Sequence, residues 1–373
     1  MSKDYDSKLQ GLKRRRQGGT SGLLAKSDSV ALDSAFHVPL EEAYEKRSIN
    51  KATRYALGAL QEVDAQYTKN SYAQGDRVKN QLEKSLLGEI PVEFDYQGSV
   101  PLNVHIRGTS DVDLLVLRKG FVTIDISGAK NLRGEYSDWT GESGPQLLLR
   151  LRTRSASVLR AAFPEVDVDT SGSKSIALSG GSLSRKIDVV PSHWHDTVDY
   201  QKTGEKKDRG VCILDTSSAQ TIKNYPFLHM HHINVKDILA NGGAKKMIRL
   251  LKTLKVDSDR AALITLNSYD VAGLVWHFRS DALNVQRWNE LSLVAVAQTE
   301  LASFVVDKPR AMQLKTPDGT RCVIDSDEKF TALIFLYIEV NELAEAIAQE
   351  LIGSAIKVTD EQVSRTLRST VIA

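Results

Sequence analysis

The sequence predicts an α+β protein in two lobes, a mixed sheet-and-helix lobe followed by one made almost wholly of helix. Three observations carry this expectation. Segments with strand-like alternation (92–96, 111–117, 166–168, 175–178 and 185–190) stop before residue 200. Farther on, over 245–255, 261–278, 285–305 and 327–352, apolar residues recur at helical spacing. Between the two regimes, residues 201–210 are charged and contain glycine, as a lobe boundary would. A chain of 373 residues is long enough to bury two such cores.

Taken in order, residues 1–38 combine Gly18-Gly19, scattered serines and the basic run Lys13-Arg14-Arg15-Arg16, and read as a flexible arm. A catalytic lobe is expected over 39–200. It opens on a long spine helix in which Ala43, Ile49, Ala52, Ala56, Leu57, Leu60 and Val63 form an apolar stripe ending near Ala65. A second helix is expected over 73–87. Pro91 then interrupts the pattern, and strand 92–96 feeds a Gly98-Ser99 turn. After strand 111–117, residues 120–145 read as an irregular insertion, and a helix over 147–163 closes at Pro164. Ser179-Gly180-Gly181-Ser182 joins two strand-like pieces as a hairpin turn. A helical lobe covers 201–355, and the tail, 356–373, shows no obvious cap and is expected to be free.

Composition excludes several classes. Hydrophobic residues make up 41% and charged residues 26%, ordinary for a globular protein, and no run approaches the ~18 apolar residues of a membrane span. The polar start Met1-Ser2-Lys3-Asp4-Tyr5 lacks a secretory signal's apolar core. Cys212 and Cys322 have no CxxC spacing, so neither a disulfide framework nor a zinc ribbon is expected, and a cytoplasmic setting fits. The net charge of +2 is far below the basic footprint of a dedicated nucleic-acid binder, which favours nucleotide-sized substrates. His193-Trp194-His195 and His229-Met230-His231-His232 have neither cysteine partners nor the spacing of zinc hydrolases, and read as core or pocket-rim residues.

Asp111 and Asp113 are spaced i, i+2 at the start of an apolar run, so in a strand both project to one face while Val112 and Leu114 face the other way. Paired carboxylates at a strand mouth, beside a Gly-Ser turn with free backbone N–H groups, suit Mg²⁺ held against a nucleoside triphosphate. The chemistry this implies is phosphoryl transfer. Asp188 lies inside the apolar strand 185–190, where a buried unpaired charge is costly. A metal shared with Asp111 and Asp113 would give it a partner.

These pieces resemble the template-independent nucleotidyltransferases of the DNA polymerase β-like fold. The likeness is to the cyclic GMP-AMP synthase and oligoadenylate synthase branch and its bacterial relatives, the CD-NTases. The matching residues are Gln97-Gly98-Ser99, then Arg107-Gly108-Thr109-Ser110-Asp111-Val112-Asp113, then Ile187-Asp188-Val189-Val190-Pro191. Farther on come Ile248-Arg249-Leu250-Leu251-Lys252 and Ser268-Tyr269. Val104-His105 departs from the small residue and threonine common in that family after the Gly-Ser turn.

The resemblance implies a polymerase β-like catalytic core with a helical lobe. It implies that Asp111, Asp113 and Asp188 are catalytic and bind two Mg²⁺ ions, with Mn²⁺ a possible substitute. Gln97, Gly98, Ser99, Lys252, Ser268 and Tyr269 would bind the nucleotide, with Gly98 and Ser99 on the phosphates, Lys252 neutralising the triphosphate and Tyr269 stacking on the base. On their own, Ser99 also fits an ordinary turn, Lys252 a solvated helix face and Tyr269 a core position. The implied substrates are ATP, GTP or other nucleoside triphosphates. The implied product is a cyclic di- or trinucleotide, or a short oligonucleotide, acting as a second messenger in anti-phage signalling upstream of a nucleotide-activated effector. Ala373 is compatible with ubiquitin-like conjugation machinery that modifies some bacterial relatives. An RNA-tailing enzyme of the poly(A) or CCA-adding type would need a basic track that the net charge does not provide. A catalytically silent nucleotide-binding module would leave three clustered acids to repel one another.

Overall fold

The computed structural model describes residues 4–17, 41–353 and 358–372. A seven-stranded sheet forms one lobe: β1 (Val92–Gln97), β2 (Val112–Ile124), β3 (Asp167–Asp169), β4 (Ile176–Ser179), β5 (Ile187–Asp196), β6 (Gly210–Asp215) and β7 (Gln220–Asn224). Its order is β1-β2-β5-β4-β3, with β6 and then β7 continuing from β5. Strands β2 and β5 run parallel and the other pairs antiparallel. The longer helices are α1 (Tyr5–Gln17), α2 (Lys51–Leu60), α3 (Ala65–Leu86), α4 (Gly144–Ala162), α5 (Pro226–Leu239), α6 (Gly243–Val256), α7 (Ser268–Trp276), α8 (Ser292–Val306), α9 (Asp327–Ile352) and α10 (Asp360–Ser369).

The period of two decides which side of the sheet is wet. Val112, Leu114 and Val116 of β2, with Ile187 and Val189 of β5, pack against Val78, Leu82 and Leu86 of α3 and Leu148, Leu151 and Leu159 of α4. Residues of the opposite parity, Leu115, Leu117 and Val190, join Trp194, Val211, Ile213 and Phe227 on the other face. Asp111, Asp113 and Asp188 share that second parity, so the alternation that builds the core turns all three acids away from α3 and α4.

Strand β5 runs through Pro191, where the sequence pattern had ended it at 190. Proline cannot donate to a ladder. Here β4 pairs with residues 187–189 and β6 with 192–195, so Pro191 falls in the gap between the two partners.

Several expected boundaries move. Residues 5–17 are a helix rather than part of a flexible arm: Tyr5, Leu9 and Leu12 lie at i, i+4 and i+7 and are buried in the helical lobe's core beside Tyr55, Ala56 and Leu57 of α2. Apart from Asp4, the rest of the arm, residues 1–3 and 18–38, lies outside the described residues. The single spine helix expected to end near Ala65 is broken. A 3-10 turn at Ala43–Arg47 precedes α2, and Asp64 then caps a new helix by accepting from the Gln66 and Tyr67 N–H groups, so the long helix is α3, starting well before residue 73.

Residues of α2 pack in the core of the helical lobe, together with Leu102 and Val104 from the loop after the Gly-Ser turn, and the charged stretch after 200 leads into the β6–β7 hairpin of the sheet. Within the expected 120–145 insertion, β2 continues to Ile124 and a short helix forms at Ala129–Leu132. The tail is docked: Val363, Leu367 and Ile372 are buried in the same core as α1, and the Ile372 N–H donates to the Trp288 carbonyl at 2.7 Å. Ala373 lies outside the described residues.

Candidate active site

Gln97 ends β1 opposite Asp113, and the chain then turns at Gly98 with φ 82°. The Asp113 carboxylate occupies the space a Cβ on Gly98 would fill, so both backbone conformation and close approach require glycine there. The turn closes by a hydrogen bond from the Val104 N–H to the Ser99 carbonyl, 3.0 Å. The Oε1 of Gln97 is buried with no hydrogen-bond donor on it.

Asp113 and Asp188 are direct register partners on the two parallel strands, and Asp111 stands just before β2, where the Val112 N–H donates to the Lys186 carbonyl at 3.0 Å. Neighbouring strands are ~4.8 Å apart, so two like charges sit side by side. Burial first, then Asp188 and Asp111, pushes the Asp113 carboxyl up to about 7. Asp188 is also raised, chiefly by burial, and its buried Oδ1 has no hydrogen-bond partner. Lys186 donates to Asp111 Oδ2 at 2.9 Å and lies 3.8 Å from Asp188 Oδ1.

Among the described residues, no three His, Cys, Asp or Glu side chains are gathered closely enough to hold an ion as they stand. The residues nonetheless fit a hard divalent cation. The donors are carboxylates, one buried oxygen lacks a partner, and the cluster is short of positive charge.

From the helical lobe, α6 pins the loop between the Gly-Ser turn and β2. Lys252 donates to the Val104 carbonyl at 2.9 Å and to Ser110 Oγ at 3.3 Å, while Arg249 donates to the carbonyls of Leu60 (3.0 Å) and Asn103 (2.7 Å). Lys252 is buried, which pushes its ammonium down to about 8 against the pull of Asp113 and Asp111. The same loop carries His105, which meets Thr68 Oγ1 at 3.1 Å and stacks near Tyr67. The sequence reading assigned no role to Lys186, Ser110 or His105. Lys186, two residues before Asp188 and so on its face of the strand, carried the visible signal.

Ser268 is the exposed first residue of α7, which is capped by a reciprocal pair between Asn267 and Asp270. Tyr269 follows, and its contacts are with α5 and the turn at 314–323. Its ring stacks on His229 and its hydroxyl donates to Asp318 Oδ2 at 2.7 Å. The structure therefore places Gln97, Gly98, Asp113 and Asp188 at one corner with Asp111 at its edge, and ties Lys252 to the adjoining loop. Tyr269 has a separate set of partners, and Ser268 is exposed beside it. His193, His195 and His229 are buried, in keeping with the core reading of the histidines.

Two adjacent carboxylates on a β2–β5 pair, beside a glycine turn and near a lysine-bearing helix, are the arrangement expected of a nucleotidyltransferase. No profile of a known protein family matches the chain. It is 37% identical over 363 residues to the cyclic dinucleotide synthase CdnE of Yersinia aleksiciae, covering 94% of this chain and 93% of that one. Its fold matches the solved STING-associated CdnE c-di-GMP synthase from a Flavobacteriaceae species with a TM-score of 0.74, at 25% identity over 95% of this chain and 100% of the other. It matches the Capnocytophaga granulosa counterpart with a TM-score of 0.69, at 26% identity over 91% and 97%. The chain belongs to the CD-NTase family, as a nucleotidyltransferase of the CdnE cyclic dinucleotide synthase group. Enzymes of this family use divalent metal ions. Among the described residues no helix is long and apolar enough to cross a membrane.

Proposed function

We propose that this enzyme condenses two nucleoside triphosphates into a cyclic dinucleotide that acts as a second messenger. The observation that carries the reading is the register pairing of Asp113 with Asp188 beneath Gly98. Asp111, Asp113 and Asp188 would hold two Mg²⁺ ions, or Mn²⁺ in their place. When bound, such ions lower the pKa of the acceptor hydroxyl and neutralise the phosphoryl group in flight.

The protein's own part is positioning. The Gly98-Ser99 turn and Gln97 would seat the β- and γ-phosphates of the donor, since turn N–H groups favour anions. Lys252, already fixed on Ser110, sets the loop that delivers Asp111 and adds positive charge behind it. Ser268 and Tyr269 would meet the sugar and base, with the phenol face as a stacking surface for either purine. A 3′- or 2′-hydroxyl attacks the α-phosphorus, the bond to the β-phosphate breaks and pyrophosphate leaves. The half-made product turns round and the step repeats to close the ring.

ATP and GTP are the proposed substrates. The c-di-GMP synthase names of several relatives favour guanosine in at least one position. The STING-associated description of the Capnocytophaga enzyme supports a downstream effector that senses the product, as in anti-phage signalling. Incubating the enzyme with all four NTPs and Mg²⁺ or Mn²⁺, followed by mass spectrometry, tests the proposal. Cyclic dinucleotide with pyrophosphate release is expected; linear tails on added RNA and no cyclic product would overturn it.

A further inference from the structure

Helix α5 begins at Pro226, and His229 in its first turn is only 4% exposed. Its imidazole lies flat against the Tyr269 ring, with centroids 3.7 Å apart and planes 19° from parallel. Burial pushes this imidazole down to about 4, so the ring beneath the tyrosine is neutral. Its Nδ1 is buried with no hydrogen-bond partner, so stacking rather than hydrogen bonding is what this nitrogen's side of the ring contributes.

The phenol is fixed at its other end too. Asp318 Oδ2 accepts from the Tyr269 hydroxyl at 2.7 Å. Asp318 is itself held by Thr316 Oγ1 (2.5 Å) and Thr320 Oγ1 (3.0 Å), inside a tight turn closed by an antiparallel bridge between Lys315 and Cys322. That turn is anchored to α7 through Arg321, which donates to the buried Asp270 at 2.6 Å. The Arg321 guanidinium stands 5.7 Å from the phenol centroid, farther off than a stacked ring. Three segments distant in sequence thus converge to hold one aromatic ring in one plane.

We propose that His229 and Asp318 are positioning residues for the donor nucleotide, acting through Tyr269: one backs the phenol ring and the other locks its hydroxyl, so the opposite face is preset for the base. The inference rests on the reading of Tyr269 as the base platform. A free phenol would have to give up rotamer freedom about χ1 and χ2 when the base arrives, and a prefixed ring does not. The effect belongs in nucleotide binding, because neither residue touches the transferred phosphoryl group in this reading.

Steady-state kinetics with varied NTP, and calorimetric binding of a non-hydrolysable GTP analogue, test it on the full-length enzyme with Mg²⁺. Tyr269→Ala should weaken analogue binding by about 5- to 100-fold, the scale of one lost base stack. His229→Ala and Asp318→Ala should each raise KM by about 3- to 10-fold with kcat little changed. His229→Phe, which keeps a ring under the phenol, and Asp318→Asn, which keeps an acceptor, should restore most of the loss. If Tyr269→Ala binds the analogue as well as wild type, the base-platform reading falls. If Tyr269→Ala weakens binding while Asp318→Ala and His229→Ala leave KM unchanged, that reading stands and the positioning role is overturned. Asp318 lies in a surface turn, so its variants keep the test decisive even if His229→Ala fails to fold.

Discussion

Asp113 and Asp188 are register partners on adjacent parallel strands, both turned to the face away from α3 and α4, and no hydrogen bond satisfies the buried Oδ1 of Asp188. Two like charges so placed weaken the fold, and the cation we propose for them would offset that cost. Replacing either with asparagine should therefore separate activity from stability. Product formation by Asp113→Asn or Asp188→Asn should fall about 10³-fold or more, as several kcal/mol of charge stabilisation in the transition state is lost. In EDTA the same variants should melt no lower than wild type. A clear drop in melting temperature would mean the acids hold the fold together rather than the metal.

The raised carboxyl of Asp113 gives a pH signature. Its ordinary value is near 4, and in the fold it lies at about 7. The folded state thus holds this proton more tightly than the unfolded chain. The group costs nothing below pH 4, and stability is lost as pH rises from about 4 through about 7. Thermal melts in EDTA across that range should show this decline in wild type and a smaller one in Asp113→Asn. Saturating Mg²⁺ should flatten the wild-type curve. Identical slopes for the two proteins in EDTA would refute the assignment.

Gly98 and Gly88 share the same φ, 82°, yet differ in surroundings: a Cβ at Gly88 meets nothing within 4 Å, whereas at Gly98 it collides with the Asp113 carboxylate. Gly88→Ala should cost only the left-handed backbone penalty, ~1–2 kcal/mol, and leave turnover near normal. Gly98→Ala should cost more and abolish product. Urea melts beside product assays make the comparison. Equal behaviour of the two variants would show that the close approach to Asp113 is unimportant.

Lys186 donates to Asp111 Oδ2 at 2.9 Å, so it would compete with the cation proposed there. Half-exposed ion pairs are worth ~0.2–1 kcal/mol, so Lys186→Met should tighten Mn²⁺ binding by about 1.5- to 5-fold in the absence of nucleotide. Titration followed by electron paramagnetic resonance reads this directly. Weaker Mn²⁺ binding in the variant would show that the lysine supports the site instead of guarding it.

Helix α1 is a thirteen-residue segment that would be marginal alone, and its docking rests on Tyr5, Leu9 and Leu12 together with an Arg15 pair to Asp257. Leu9→Ala should destabilise the helical lobe by ~2–5 kcal/mol, as large-to-small changes in a closed core do. Hydrogen exchange should then rise in α2 and α9 and stay unchanged in β2 and β5. Unchanged stability would restore the picture of a loose arm.

The parts legible in the sequence were those with local signals. Helix α9 was readable to its ends because a helical stripe runs between Ser326, which caps one end, and Gly353 in the left-handed region at the other. The acids stood out because Asp is unusual inside a β-patterned run. What stayed hidden depends on distant partners. Only three apolar residues in a basic helix mark α1 as docked, and nothing nearby shows what covers them. The hairpin at 210–224 sat behind a charged stretch that resembled a linker, and Pro191 ended a strand on paper that two separate neighbours allow to continue. The Tyr269 ring could be matched to a motif, but its partners His229 and Asp318 come from segments on either side of α7 and share no spacing with it.

The helical core draws on residues near both extremes of the described chain, with Leu9 and Leu12 meeting the same cluster as Val363, Leu367 and Ile372 while the sheet lobe is strung between them. During synthesis the ribosome releases the sheet lobe long before its companion can close. The clamp from Arg249 and Lys252 onto the loop ahead of Asp111 comes from that late-closing half. Met247, Ile248 and Leu251 of α6, which carries that clamp, pack in the same cluster as Val363 and Leu367, so the last helix to emerge completes the support behind it.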